Sequence, residues 1–150
     1  MVADAEKELG IRFPASYVEA LRLKNGGAIL GNLVRLPKQD IPQHLRPYVD
    51  HGHISVRGIN GIGASHTSVL TTPYLIEEWG LPKNLVLLDG DGHWWIAFDY
   101  REPTSNPPIV FVESDSGDTL RIADDFATFF DSLVDEEELF DEEGNYVGDQ

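Results

Sequence analysis

The chain has no cysteine at any of its 150 positions. That excludes disulfides, thiolate metal sites and cysteine nucleophiles together, and it fits a reducing compartment. Basic residues are scarce as well: 11 lysines and arginines stand against 26 aspartates and glutamates, a net charge of −15. A field of that sign repels phosphates and anionic membranes, so neither direct nucleic-acid binding nor membrane binding is expected. Long apolar runs are missing too. No segment approaches membrane-spanning length, and the opening residues MVADAEKELG are charged, with no apolar h-region. A soluble, cytoplasmic protein is the expectation.

What is present reads as a globular domain. Hydrophobic residues make up 41% of the chain, with 14 glycines and 9 prolines, and the length suits one domain with a core of its own. The acids are unevenly spread. Residues 135–149 hold eight of them (Asp135, Glu136, Glu137, Glu138, Asp141, Glu142, Glu143, Asp149) and no lysine or arginine. The organisation expected is a domain over 1–134 followed by an acidic extension over 135–150.

Periodicity places the elements. Residues 3–9 read as a short helix stopped by Gly10, and Tyr17, Leu21 and Lys24, with Val18 beside them, mark one face of a second helix. Pro14 suits that helix's first turn, and Asn25-Gly26-Gly27 its stop. A weak strand over 29–36 precedes an irregular, breaker-rich connection over 37–52, and 53–59 alternates as a strand. Thr71-Thr72-Pro73 opens a helix through Trp79, closed by Gly80. Four short strands follow over 85–88, 93–100, 109–113 and 119–122, which is the pattern of an antiparallel meander. A last helix over 124–134 puts Phe126, Phe129, Phe130 and Leu133 on one face. Glu136 to Glu138 would then extend its C-terminal end, where the helix dipole disfavours negative charge. If ordered, this segment has to bury Leu139, Phe140 and Tyr146 while its carboxylates face water.

The stretch LLDGDGHWWIAFDY, 87–100, holds the densest group of chemically capable residues. Asp89-Gly90-Asp91 begins like a calcium loop, but His93, Trp94 and Tyr100 stand where an oxygen ligand, a glycine and a bidentate glutamate are needed. Asp89 to Gly92 supplies turn residues for a hairpin instead. In the strand that follows, Trp94, Ile96, Phe98 and Tyr100 fall on one face and His93, Trp95, Ala97 and Asp99 on the other, as in a central strand. His51 and His53 lack a third metal ligand nearby. Gly58 to Gly63 has neither a dinucleotide-loop spacing nor a phosphate-loop lysine and reads as a flexible loop. Ser65, His66, Ser68 and Asp99 have the residue types of a nucleophilic triad without its spacing. No catalytic constellation, metal site or cofactor site is expected.

Three segments resemble the SMI1/KNR4 family of the SUKH superfamily. EKELGIRFPASYVEALRLKNGG (6–27) is similar to its opening helices and Asn-Gly-Gly stop. WGLPKNLVLLDGDGHWWIAFDYRE (79–102) is similar to its Gly-Leu-Pro turn and central hairpin, and PPIVFVESDSGDTLRIADDFATFFDSL (107–133) to its closing strands and Phe-rich helix. The resemblance implies an α+β single domain with a twisted, largely antiparallel sheet and helices packed against it. It implies a protein-binding module without catalytic residues, in bacteria often an immunity protein that blocks a cognate toxin domain such as a nuclease. The acidic excess then points to a basic toxin, met by Glu77, Glu78, Asp89, Asp91, His93 and Glu102 with an exposed Trp or Tyr as anchor. The alternative is a regulatory scaffold or a small-ligand-binding domain with a groove bordered by 58–63 and 37–52. A monomer and a weak dimer are both compatible with the sequence.

Overall fold

A computed structural model describes residues 2–23, 27–62, 68–102 and 106–147. Helix α1 (Val2–Leu9) ends before Gly10, and α2 (Ala15–Leu23) starts directly after Pro14, as the sequence predicts. The Asn25-Gly26 stop, Lys24, Gly63, Ser65-His66 and Asp149 lie outside the described residues. Between the two helices the Glu6 carboxylate accepts a hydrogen bond from the Phe13 backbone N–H at 2.7 Å, which fixes their connection.

Strand β1 (Gly27–Arg35) is followed by a 3₁₀ turn over Gln43–Tyr48, so the breaker-rich connection is partly regular. The short strand β2 (Val49–Asp50) and β3 (His53–Ile59) form a hairpin whose turn is His51-Gly52. Helix α3 (Thr72–Trp79) ends at Gly80, which adopts φ 66° and ψ 35°. That left-handed conformation is what favours glycine at a helix stop. The meander follows: β4 (Leu85–Gly90), β5 (Trp94–Asp99), β6 (Ile109–Glu113) and β7 (Thr119–Ala123). Then come α4 (Phe126–Asp131), β8 (Val134–Asp135) and the single-turn helix α5 (Glu136–Leu139).

The architecture is α+β in one domain, and the strands divide between two sheets. Among the described residues these have the orders β2-β3-β1-β8 and β4-β5-β6-β7, with every strand pair antiparallel. The sheets meet along β3. Strand β2 pairs with β3 only at His53 and Ile54, so the edge of β3 beyond them is open to β4. There the Arg57 N–H donates to the Asp89 carboxylate at 2.8 Å, and the Asn60 N–H to the Leu88 carbonyl at 2.6 Å.

One core lies between both sheets and α1, α2 and α4. Tyr17 is its hub, packed on Phe13, Phe98 and Phe126 with its hydroxyl donating to the Asn60 carbonyl at 2.6 Å. The alternation read in β5 holds: Trp94, Ile96, Phe98 and Tyr100 face this core, while Trp95 and Ala97 face the opposite side of the sheet. That opposite side is covered by α3, whose Leu75 and Ile76 pack on Leu85, Leu87, Trp95, Val110 and Val112.

Two local expectations are corrected. The last helix is shorter than predicted, and Phe130, within it, is 41% exposed, stacked on Phe126 with ring centroids 5.5 Å apart. Glu136 to Glu138 do not extend α4. They form the first turn of α5, capped by the Asp135 carboxylate on the Glu137 N–H. At an N-terminus the helix dipole favours these acids, which reverses the sign of the expected effect.

The acidic segment docks on the body. Strand β8 pairs with β1 at Asn32 and Leu33, Leu139 is buried, and Phe140 and Tyr146 are half-buried. The Tyr146 ring stacks on His51 at 4.3 Å and 15°. The described carboxylates from Asp135 to Glu143 are exposed.

Candidate functional site

Most of the candidate acids lie around α3. Glu77 and Glu78 are exposed on the helix, beside Tyr74, which is 67% exposed, and Trp79, 41% exposed. The apolar side of α3 is committed to the sheet, so these four residues, with Pro73, are what the helix shows to solvent.

Trp79 joins the helix to the β4–β5 turn. Its ring lies over Gly92, with the His93 ring 6.4 Å away. The turn is shorter than Asp89 to Gly92. Strand β4 continues through Asp89 and Gly90, paired with Ile96 and Trp95, and the chain reverses over Asp91-Gly92-His93. Asp91 holds that reversal, its carboxylate accepting from the His93 and Trp94 N–H groups at 2.9 and 3.3 Å. Ser114 braces it from the next hairpin: its hydroxyl donates to the Gly92 carbonyl at 2.7 Å and accepts from the Trp95 indole N–H at 3.0 Å. Asp91 and His93 are exposed on this braced turn.

Asp89 departs from the surface role expected of it. It is 8% exposed, and its carboxylate is turned onto the Arg57 N–H. The cause is a bulge between Leu87 and Asp89, which breaks the alternation of β4 and re-aims the side chain. Burial raises the Asp89 pKa, against backbone N–H groups of Arg57, Gly90 and Gly58 that lower it. Its chemistry is that of a latch between the two sheets.

Glu102 lies on the other side of α3. It lines a cleft of about 950 Å³ between α1 and α3, together with Glu8, Glu77, Lys83 and Arg101. Burial tends to raise the Asp99 pKa, but the bidentate bond from Arg101 (2.8 and 2.9 Å) outweighs it and holds the carboxyl below the ordinary range. The sequence reading missed this cleft because its walls come from distant segments. Of the groove expected along 58–63 and 37–52, the described residues show Ile59, Gly61 and Ile62 buried, while Gln39, Ile41 and Arg46 border a shallow hollow of about 400 Å³.

Among the described residues no group of three or more His, Asp or Glu side chains is placed to hold a metal ion, and no helix is long and apolar enough to cross a membrane. His51 and His53 serve the β2–β3 turn, with His53 Nδ1 at 2.8 Å from the His51 carbonyl.

The profile of the SMI1 / KNR4 family (SUKH-1) matches residues 1–132. The chain belongs to the SMI1/KNR4 family. Among curated proteins none matches it significantly. The matched region of this SMI1/KNR4 protein carries both sheets except β8, together with α3 and the cleft. The docked segment from Leu133 onward lies outside the match.

Proposed function

We propose that this SMI1/KNR4 protein is a non-enzymatic binding module acting in the cytoplasm, an immunity protein whose partner is a cognate toxin domain with a basic, nuclease-type active site. The observation that carries the reading is the α3 face. Two large aromatic side chains, Tyr74 and Trp79, are exposed on the helix that carries the exposed Glu77 and Glu78, and the Trp79 ring lies over Gly92, next to the exposed Asp91. An aromatic anchor surrounded by charge of one sign is how interfaces combine affinity with partner choice. The acids would stand where substrate phosphates lie, facing the lysines and arginines of the toxin. The rigidity of the face supports this: Trp79 rests on a turn held by Asp91 and Ser114, so little ordering is left to be done on binding.

The test is inhibition in vitro of a toxin domain, sought first among the products of neighbouring genes. The protein should abolish the toxin's activity at equimolar concentration, and Trp79→Ala should weaken inhibition at least ten-fold without unfolding the chain. A toxin left fully active by the wild-type protein would sink the reading. Several weak cellular partners recovered in place of one tight basic partner would favour a regulatory scaffold.

A further inference from the structure

The cleft between α1 and α3 has an apolar floor and a charged rim. Leu9, Ile11, Ile76, Leu81 and Val86 supply the floor. The rim carboxylates come from three separate parts of the chain: Glu8 from α1, Glu77 from α3 and Glu102 from the segment after β5. None of the three is in an ion pair among the described residues. Of the two lining bases, Arg101 is already bound by Asp99 through Nε and Nη2. Arg101 still attracts the neighbouring Glu102, so the three rim carboxylates face Lys83 and an arginine shared with Asp99.

This combination restricts the occupant. Carboxylates spaced around an apolar wall favour a cation there over an anion. An anion is excluded by the same field. A purely apolar guest would cover the rim without offering it a partner, which costs desolvation. A long cationic side chain satisfies both parts, because its methylenes lie along apolar surface while its charge stays at the polar edge.

We propose that the cleft seats an arginine or lysine side chain presented by a basic segment of the protein partner. The inference deepens the reading above and rests on it for the identity of the partner. It adds Glu8 and Glu102, together with Glu77, to the acids of the α3 face that meet the partner's bases, and gives no part to the more heavily charged segment after Asp135.

The side-chain mimic n-butylguanidinium tests this directly on the full ¹⁵N-labelled chain, with sodium chloride and n-butanol as controls for charge and stem alone. Saturable amide shifts are expected at Gly10, Ile11, Lys83 to Val86 and Arg101. The double variant Glu77→Gln/Glu102→Gln should weaken the fit roughly three- to ten-fold, two exposed charge contacts' worth. Glu142→Gln/Glu143→Gln should leave it unchanged. Shifts that do not saturate, or that are as large along 135–143, overturn the proposal. If the double variant melts early, Glu8→Gln takes its place. In the toxin assay, inhibition unchanged by the cleft variants overturns the cleft alone. No inhibition by the wild type removes the functional reading, and the mimic titration then decides the cleft by itself.

Discussion

The Trp79 indole occupies the space that a side chain at Gly92 would take. A Cβ at position 92 would stand 3.1 Å from the ring, and the backbone there has φ 105°. The conformation favours glycine, and a Cβ would further require the Trp79 ring to give by a few tenths of an ångström, so the contact ties the exposed face of α3 to the β4–β5 turn. Gly92→Ala is therefore expected to cost about 1–3 kcal/mol and to shift the Trp79 fluorescence. In a Trp79→Ala background the contact part of the cost should vanish while the backbone part remains. A double-mutant cycle from urea melts measures the difference, and strict additivity would show that the two residues are uncoupled.

Asp89 makes stability depend on pH in the direction opposite to most carboxylates. Its folded pKa is raised above the ordinary 3.8, chiefly by burial. Its contribution is therefore fully present below 3.8 and is lost as pH rises through the folded value. Asp89→Asn keeps an oxygen for the Arg57 N–H and removes the charge. The variant should gain on the wild type as pH rises above 3.8, and Asp89→Ala should lose about 1–3 kcal/mol throughout by leaving that N–H without a partner. Denaturant midpoints across that range check both.

Tyr17 separates packing from hydrogen bonding. Removing its hydroxyl, Tyr17→Phe, leaves the Asn60 carbonyl one donor short and should cost about 0.5–1.5 kcal/mol. Tyr17→Ala also empties the space among Phe13, Phe98 and Phe126 and should cost about 3–5 kcal/mol, from the same melts. Equal costs would mean that the hydroxyl, and not the ring, matters.

The docked C-terminal segment should contribute to stability despite its charge. Deleting 136–150 removes Leu139, which is 7% exposed, and the Tyr146 ring stacked on His51. A lowered melting temperature is expected, and Leu139→Ala alone should cost about 2 kcal/mol or more. An unchanged melting temperature after the deletion would mean that the contacts with His51 add nothing net.

Much of this protein was legible as sequence because local physics fixes it. The 3.6-residue and two-residue periods placed α1, α2 and all four meander strands, since each element must put its apolar side on a core. Glycine at 80 and proline at 73 marked the ends of α3 by their backbone preferences alone. The two faces of β5 followed from alternation, and membership of the SMI1/KNR4 family from segments read in order. Net charge and the missing cysteine likewise need no fold. Tertiary structure decided what depends on residues far apart in the chain. The division into two sheets rests on β2 ending early and exposing the β3 edge to β4. The burial of Asp89 rests on one bulge, which no composition rule anticipates. The reversed dipole at Glu136 required β8 to interrupt the last helix. The cleft exists only because α1, α3 and the end of β5 converge, and three carboxylates that are unrelated in sequence share one rim there by packing alone.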